Sequence, residues 1–236
     1  HVKGAPDVTL KVRATRHGPV ISDVDGDLAA LAGAGEAVAL AFTGLGDKDT
    51  TAEAFMKVDA AKNWDDFLAA LRLYQTPTQN LVYADVDGDI GFIGPGLVPL
   101  RKSGDGLTPA DGASGDKDWT GTIPFEQWPQ IHNPAAGFVF NANNALVPQG
   151  HQPMLCEDWE EAFRARRIPQ WLDAPGKHSL DASAAMQADH LSLAARDLLP
   201  FLKRVTPSDE RARQALALLA AWDGVMDKDR PEPLIF

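Results

Sequence analysis

Long apolar runs are missing from this chain. No stretch of 18 consecutive apolar residues occurs in its 236 positions, so no transmembrane helix is expected. Basic residues are scarce: 22 Lys and Arg stand against 33 Asp and Glu, a net charge of −11. That balance excludes a protein built to neutralise nucleic-acid phosphates, which needs clustered positive charge. Cysteine is nearly absent. Cys156 stands alone, so no intrachain disulfide can form and redox compartment is not legible. Several chemical signatures are missing too. The six histidines show no His-x-x-x-His spacing, which argues against zinc. No serine sits in a G-x-S-x-G context, and no G-x-x-x-x-G-K-[ST] phosphate loop is present.

What is there suffices for a packed core, since 44% of residues are hydrophobic. The chain opens at His1-Val2-Lys3-Gly4 without Met and stops on the apolar run Pro233-Leu234-Ile235-Phe236. Those ends read as a fragment of a longer protein. Period-two alternation predicts a strand over Val8–Thr15, a turn at Arg16-His17-Gly18-Pro19, and a further strand over Ala37–Phe42. Thr51 to about Ala61 reads as a helix with a Thr cap. A second helix is capped by Asn63, with Trp64, Phe67, Leu68 and Leu71 on one face. Asn80–Asp85 and Ile90–Ile93 flank an Asp-Gly turn, a hairpin signal. Residues 101–130 read as a long surface loop, and Phe138–Phe140 as another strand.

From Glu157 onward helices dominate. One is expected over Glu157–Leu172, one from Ser179 to about Asp189, and one over Leu191–Val205 broken at Pro200. A last one starts near Asp209 and runs to about Trp222. Strands and hairpins first, helices later, is an α+β order. It gives one fragment over 1–236, strand-rich in 1–150 and helix-rich in 151–236.

Three features carry candidate chemistry. Asn141-Ala142-Asn143-Asn144 follows an apolar run. Asparagine tolerates left-handed backbone and offers a neutral N–H donor, which suits either a polar turn or the stabilisation of an oxyanion. Asp-Val-Asp-Gly-Asp occurs at Asp23–Asp27 and at Asp85–Asp89. It invites a calcium reading, but an EF-hand needs an acid at loop position twelve. Those positions hold Ala34 and Gly96, so turn geometry is the simpler reading. Arg164, Arg166 and Arg167 form a basic cluster after Glu157, Asp158, Glu160 and Glu161, which suits helical ion pairs with room for one arginine to point inward. His17 suits a general base or a hydrogen-bonded turn histidine.

The ordered set of segments resembles the penicillin acylase (penicillin amidase) family of N-terminal-nucleophile hydrolases. The resemblance rests on Thr15–Asp23, Gln79–Asp85, Gly88–Gly91, Pro99–Arg101, Trp119–Phe125, Asn133-Pro134, Gly137–Asn144, Arg164–Ile168 and Met186–Asp189. It implies part of a four-layer αββα sandwich, from the interior of the family's β subunit. It implies an amidohydrolase that cleaves penicillin-like or other N-acyl amides through an acyl-enzyme. The serine nucleophile, whose own α-amino group is the base, would lie outside this chain, so the isolated fragment is expected to be inactive. Asn143 matches the oxyanion-hole asparagine. Arg167, with Arg166 as the neighbouring alternative, matches the arginine that positions it. Asp158, with Glu157 beside it, matches an aspartate that binds structural calcium in some members, and no cofactor is implied for catalysis. Implied partners are an N-acyl small molecule and the rest of the parent α and β subunits, and the implied location is periplasmic or secreted. The alternative readings are a non-enzymatic acidic calcium- or ligand-binding module and an inactive family member.

Overall fold

Local hydrogen bonding fixes the hairpin first. Asp85 Oδ1 accepts from the N–H of Asp87 (3.0 Å) and of Asp89 (2.9 Å), and Gly88 takes φ +97°. The side chain thus replaces backbone partners in the turn, and the second Asp-Val-Asp-Gly-Asp segment is turn chemistry. The first behaves alike: Asp25 caps a short helix by accepting from Leu28 N–H, and Asp23 pairs with Arg13.

The computed structural model describes residues 1–9, 11–173 and 176–236. Contacts divide the chain into two units: residues 1–137 with 146–157, and residues 138–145 with 158–236.

The first unit starts with β1 (Ala14–Thr15) and β2 (Gly18–Pro19), then α1 (Gly26–Leu31), α2 (Thr51–Val58) and α3 (Trp64–Leu71). Next come β3 (Leu81–Ala84), β4 (Ile90–Ile93), β5 (Pro99–Arg101), β6 (Trp119–Thr122) and β7 (Gln130–His132). All pairings are antiparallel, in small sheets of order β1-β2, β3-β4-β7 and β5-β6. Asn63 Oδ1 accepts from Asp66 N–H at 2.8 Å and starts α3, as its sequence predicts. Helix α3 buries Trp64, Phe67 and Leu71 into a core with Ala54, Tyr74, Ile93, Ile123 and Trp128. Each such side chain contributes about 1.5–3 kcal/mol when fully removed from water. Trp64 lies on Gly91, where a Cβ would sit 2.4 Å from the indole, and it stacks with His132, the cross-strand partner of Gly91, at 4.9 Å between ring centroids.

The second unit holds α4 (Phe163–Leu172), α5 (Leu180–Gln187), α6 (Leu193–Leu202), α7 (Glu210–Ala221) and α8 (Glu232–Ile235). Ser179, Ser192 and Asp209 cap α5, α6 and α7 through their side-chain oxygens. Ala195, Leu199, Leu219 and Trp222 form its core.

The α+β order holds, with small antiparallel sheets first and helices in the C-terminal part. Several element boundaries need correction. Of the strand expected over Val8–Thr15, only Ala14–Thr15 pairs. Val8 and Val12 are exposed and lack the ladder that alternation presupposes, while Leu10 lies outside the described residues. Ala37–Phe42 yields a single bridge, Val20 with Ala39. Residues 101–130 are not one loop, because β6 and the start of β7 lie within them. Phe138–Phe140 pairs with no strand among the described residues. Pro200 does not break α6, because Leu199 is buried and Leu202 packs on the same core, offsetting the lost N–H. A threonine, Thr50, does stand at the N-cap of α2, but its hydroxyl donates to Leu73 O at 2.6 Å, and Asp49 Oδ1 accepts from the Thr51 N–H at 2.9 Å. No described helix is long and apolar enough to cross a membrane.

Candidate active site

The asparagine cluster is a pair of side-chain-stabilised turns presenting one amide. Asn141 Oδ1 accepts from Asn143 N–H at 2.7 Å, and Asn144 Oδ1 accepts from Ala142 N–H at 3.2 Å. Between them Ala142 is buried. These bonds hold Asn143 at φ +61°, in the left-handed region that asparagine tolerates better than most residues. The Asn143 side chain is thereby turned outward and is exposed.

Its partner is set by the start of α4. The carbonyl of Asn143 accepts from Glu160 N–H at 3.1 Å, tying the turn to the approach of the helix. Helix α4 then begins at Phe163, and its second residue, Arg164, donates from Nη2 to Asn143 Oδ1 at 2.9 Å. A guanidinium has only donors. The asparagine oxygen therefore faces Arg164, and its NH2 group points away.

The other two arginines of α4 are engaged elsewhere. Arg166 makes two bonds to Asp197 on α6 (2.6 and 3.2 Å), with both side chains about half exposed. Arg167 is less exposed. It binds Asp189 through Nε (2.6 Å) and Nη2 (3.1 Å), and Gln170 through Nη1 (2.7 Å). Trp171 Nε1 donates to the same Asp189 at 3.1 Å. The hydrogen bonds from Arg167, and secondarily from Trp171, hold the Asp189 carboxyl below its ordinary range. The same pairing raises the Arg167 guanidinium.

The helix expected over Glu157–Leu172 starts at Phe163. The resemblance implies a positioning role at Asn143 for Arg167, or Arg166. The direct hydrogen bond to Asn143 in this chain comes from Arg164, and Arg167 stands on the same helical face and lines the same cavity. Asp189 was legible as part of Met186-Gln187-Ala188-Asp189 but carried no assigned role. Asp158 is exposed, and among the described residues no group of three acidic, His or Cys side chains is placed to hold a metal.

Beside Asn141 and Ala142 lies an open cavity of about 330 Å³. Its walls include Ala142, Phe163, Arg164, Arg167, Asp189 and Leu193. In the first unit a separate polar cluster joins Arg16 and His17 to Asp118. His17 Nε2 lies 2.8 Å from Asp118 Oδ1, and Arg16 pairs with Oδ2 while donating to Gly112 O at 2.6 Å. The bonds from Arg16, then His17, push the Asp118 carboxyl down to about 2. In this cluster His17 clamps a turn.

Comparison with known proteins matches the penicillin amidase family model to residues 1–236. The chain belongs to the penicillin amidase family. It is 35% identical over 231 residues to a penicillin acylase 2 proenzyme of Pseudomonas sp. (strain SE83), covering 96% of this chain and 28% of that protein. It is 30% identical over 249 residues to an acyl-homoserine lactone acylase QuiP of Pseudomonas fluorescens (strain Pf0-1), covering 100% of this chain and 30% of that protein. Among solved structures it is similar to a thermostable penicillin G acylase from Alcaligenes faecalis, with TM-score 0.76 and 27% identity, over 98% of this chain and 41% of that one. The chain thus spans about 30% of the length of these curated relatives. For this penicillin amidase family member, the asparagine turn and α4 both lie within the matched residues.

Proposed function

We propose that the complete protein is an amidohydrolase of N-acyl substrates, and that Asn143 is a donor in its oxyanion hole. A serine hydroxyl outside residues 1–236 attacks the amide carbonyl and forms a tetrahedral intermediate. The Nδ2–H of Asn143 donates to the oxygen that becomes negative. Collapse expels the amine and leaves an acyl-enzyme, which water hydrolyses to the acid. Arg164 is a positioning residue. It fixes the amide in the orientation that presents NH2 outward, and its charge polarises the carboxamide toward stronger donation.

The observation that carries the reading is the bond from Arg164 to Asn143 on a left-handed, exposed asparagine. A structural polar turn has no need for a guanidinium to set the direction of one amide. The relatives support the reaction class: their names include penicillin acylases and acyl-homoserine lactone acylases. The name of one as a proenzyme supports synthesis as a precursor. A periplasmic or secreted location belongs to the same reading.

The test is amine release by the complete protein from a panel of phenylacetyl, glutaryl and long-chain acyl amides. Release from at least one is expected, and the preferred acyl length names the substrate class. Silence across the panel from correctly processed protein contradicts the reading.

A further inference from the structure

We propose that Asp189 is a positioning residue for the oxyanion donor, acting through Arg167 and the rotational setting of α4. The inference rests on the reading of Asn143 and Arg164 given above. Helix α4 is weakly fixed by packing. None of its residues is fully buried, its N-cap Ala162 supplies no side-chain hydrogen bond, and an open cavity adjoins the face that carries Arg164 and Arg167. Charged hydrogen bonds must therefore set its phase.

Asp189 is where they converge. Its carboxylate accepts from Arg167 twice and from Trp171 once. Residues 167 and 171 stand one turn apart on the face that also holds residue 164. Anchoring two consecutive turns to one carboxylate blocks rotation about the helix axis. The need is quantitative. A side-chain head about 5 Å from the axis moves about 2 Å for a 20° rotation. That displacement is enough to break a hydrogen bond of 2.9 Å. The Arg166–Asp197 pair, also on α4, is about half exposed on both sides, whereas the side chains of Arg167 and Asp189 are 24% and 16% exposed. Exposed pairs hold geometry poorly, so the inner pair sets the phase.

The experiment is a double-mutant cycle in the complete protein, read as kcat and KM for amine release. Asp189→Asn is expected to lower kcat about tenfold with little change in KM, because the loss falls on the transition state. In an Arg164→Ala background the same change is expected to have no further effect, since the link it acts through is already cut. Asp189→Glu, which keeps the carboxylate, regains part of the loss. Asp197→Asn, at the exposed pair, leaves kcat near the parent value. Equal losses from Asp189→Asn in both backgrounds, or no loss in either, overturn the proposal. If Asp189→Asn does not fold, Trp171→Phe removes one donor to Asp189 and is read in the same cycle, with a smaller loss expected. The underlying reading fails separately: it falls if Asn143→Gly turns over normally, whatever Asp189 does.

Discussion

Replacing Asn143 by alanine and by glycine separates catalysis from backbone strain at one position. Both changes remove the same N–H donor, and both leave Arg164 without its partner. Loss of a single oxyanion donor lowers turnover about 10²–10³-fold, or about 2.7–4 kcal/mol. The two differ in the folded state. At φ +61° an alanine is strained by roughly 1–2 kcal/mol, while glycine adopts that conformation freely. The lost hydrogen bond to Arg164 is exposed, so its contribution to stability is at most about 1 kcal/mol. Alanine should therefore destabilise the protein more than glycine, and the two should lose the same turnover. The assay is kcat for amine release alongside a thermal or denaturant midpoint, in the complete protein. Losses of turnover that track the midpoints would refute the reasoning. So would a glycine variant that retains more than about a tenth of the parent rate.

Three further outcomes test the frame around the site. Gly91→Ala places a methyl 2.4 Å from the Trp64 ring; overpacking of this kind should destabilise by about 1–3 kcal/mol, seen as a lower denaturant midpoint. Asp118 has its carboxyl held at about 2 by Arg16 and His17, below its ordinary 3.8, so its stabilising contribution is complete above about pH 4 and fades toward pH 2. The midpoint gap between the parent protein and Asp118→Asn should accordingly close over that window; a gap constant with pH would contradict the clamp. Asp85→Ala removes the acceptor for two turn N–H groups and for the Tyr83 hydroxyl. It should lower stability by about 1–2 kcal/mol whether or not calcium is added, whereas a calcium-dependent loss would favour a metal-binding loop.

How much of this was legible depended on where each partner lies. The β3–β4 hairpin was readable because its turn chemistry sits between the strands it joins. Strands β6 and β7 were not, because their partners come from segments well separated in sequence, and a lone edge of three or four residues carries little periodicity. The opposite error at Val8–Thr15 has the same origin: alternation marks a segment that suits a strand but supplies no ladder. The α6 helix crosses Pro200 because tertiary burial of Leu199 outweighs one missing hydrogen bond. The asparagine turn was legible as candidate chemistry, since three carboxamides in four positions are visible without coordinates. The contact from Arg164 was not, because it depends on how the chain approaches α4, where Glu160 N–H is tied to Asn143 O. Likewise, the meeting of Asp189 with Arg167 and Trp171 depends on how α5 leads into α6, which no short-range pattern records.

The most direct test of the account is a crystal structure of the complete protein bound to a tetrahedral mimic of the acyl-transfer intermediate. Asn143 Nδ2 is expected about 2.7–3.1 Å from the mimic's anionic oxygen, with Arg164 still on Asn143 Oδ1. An anionic oxygen held entirely by other donors, with Asn143 turned away from it, would contradict it.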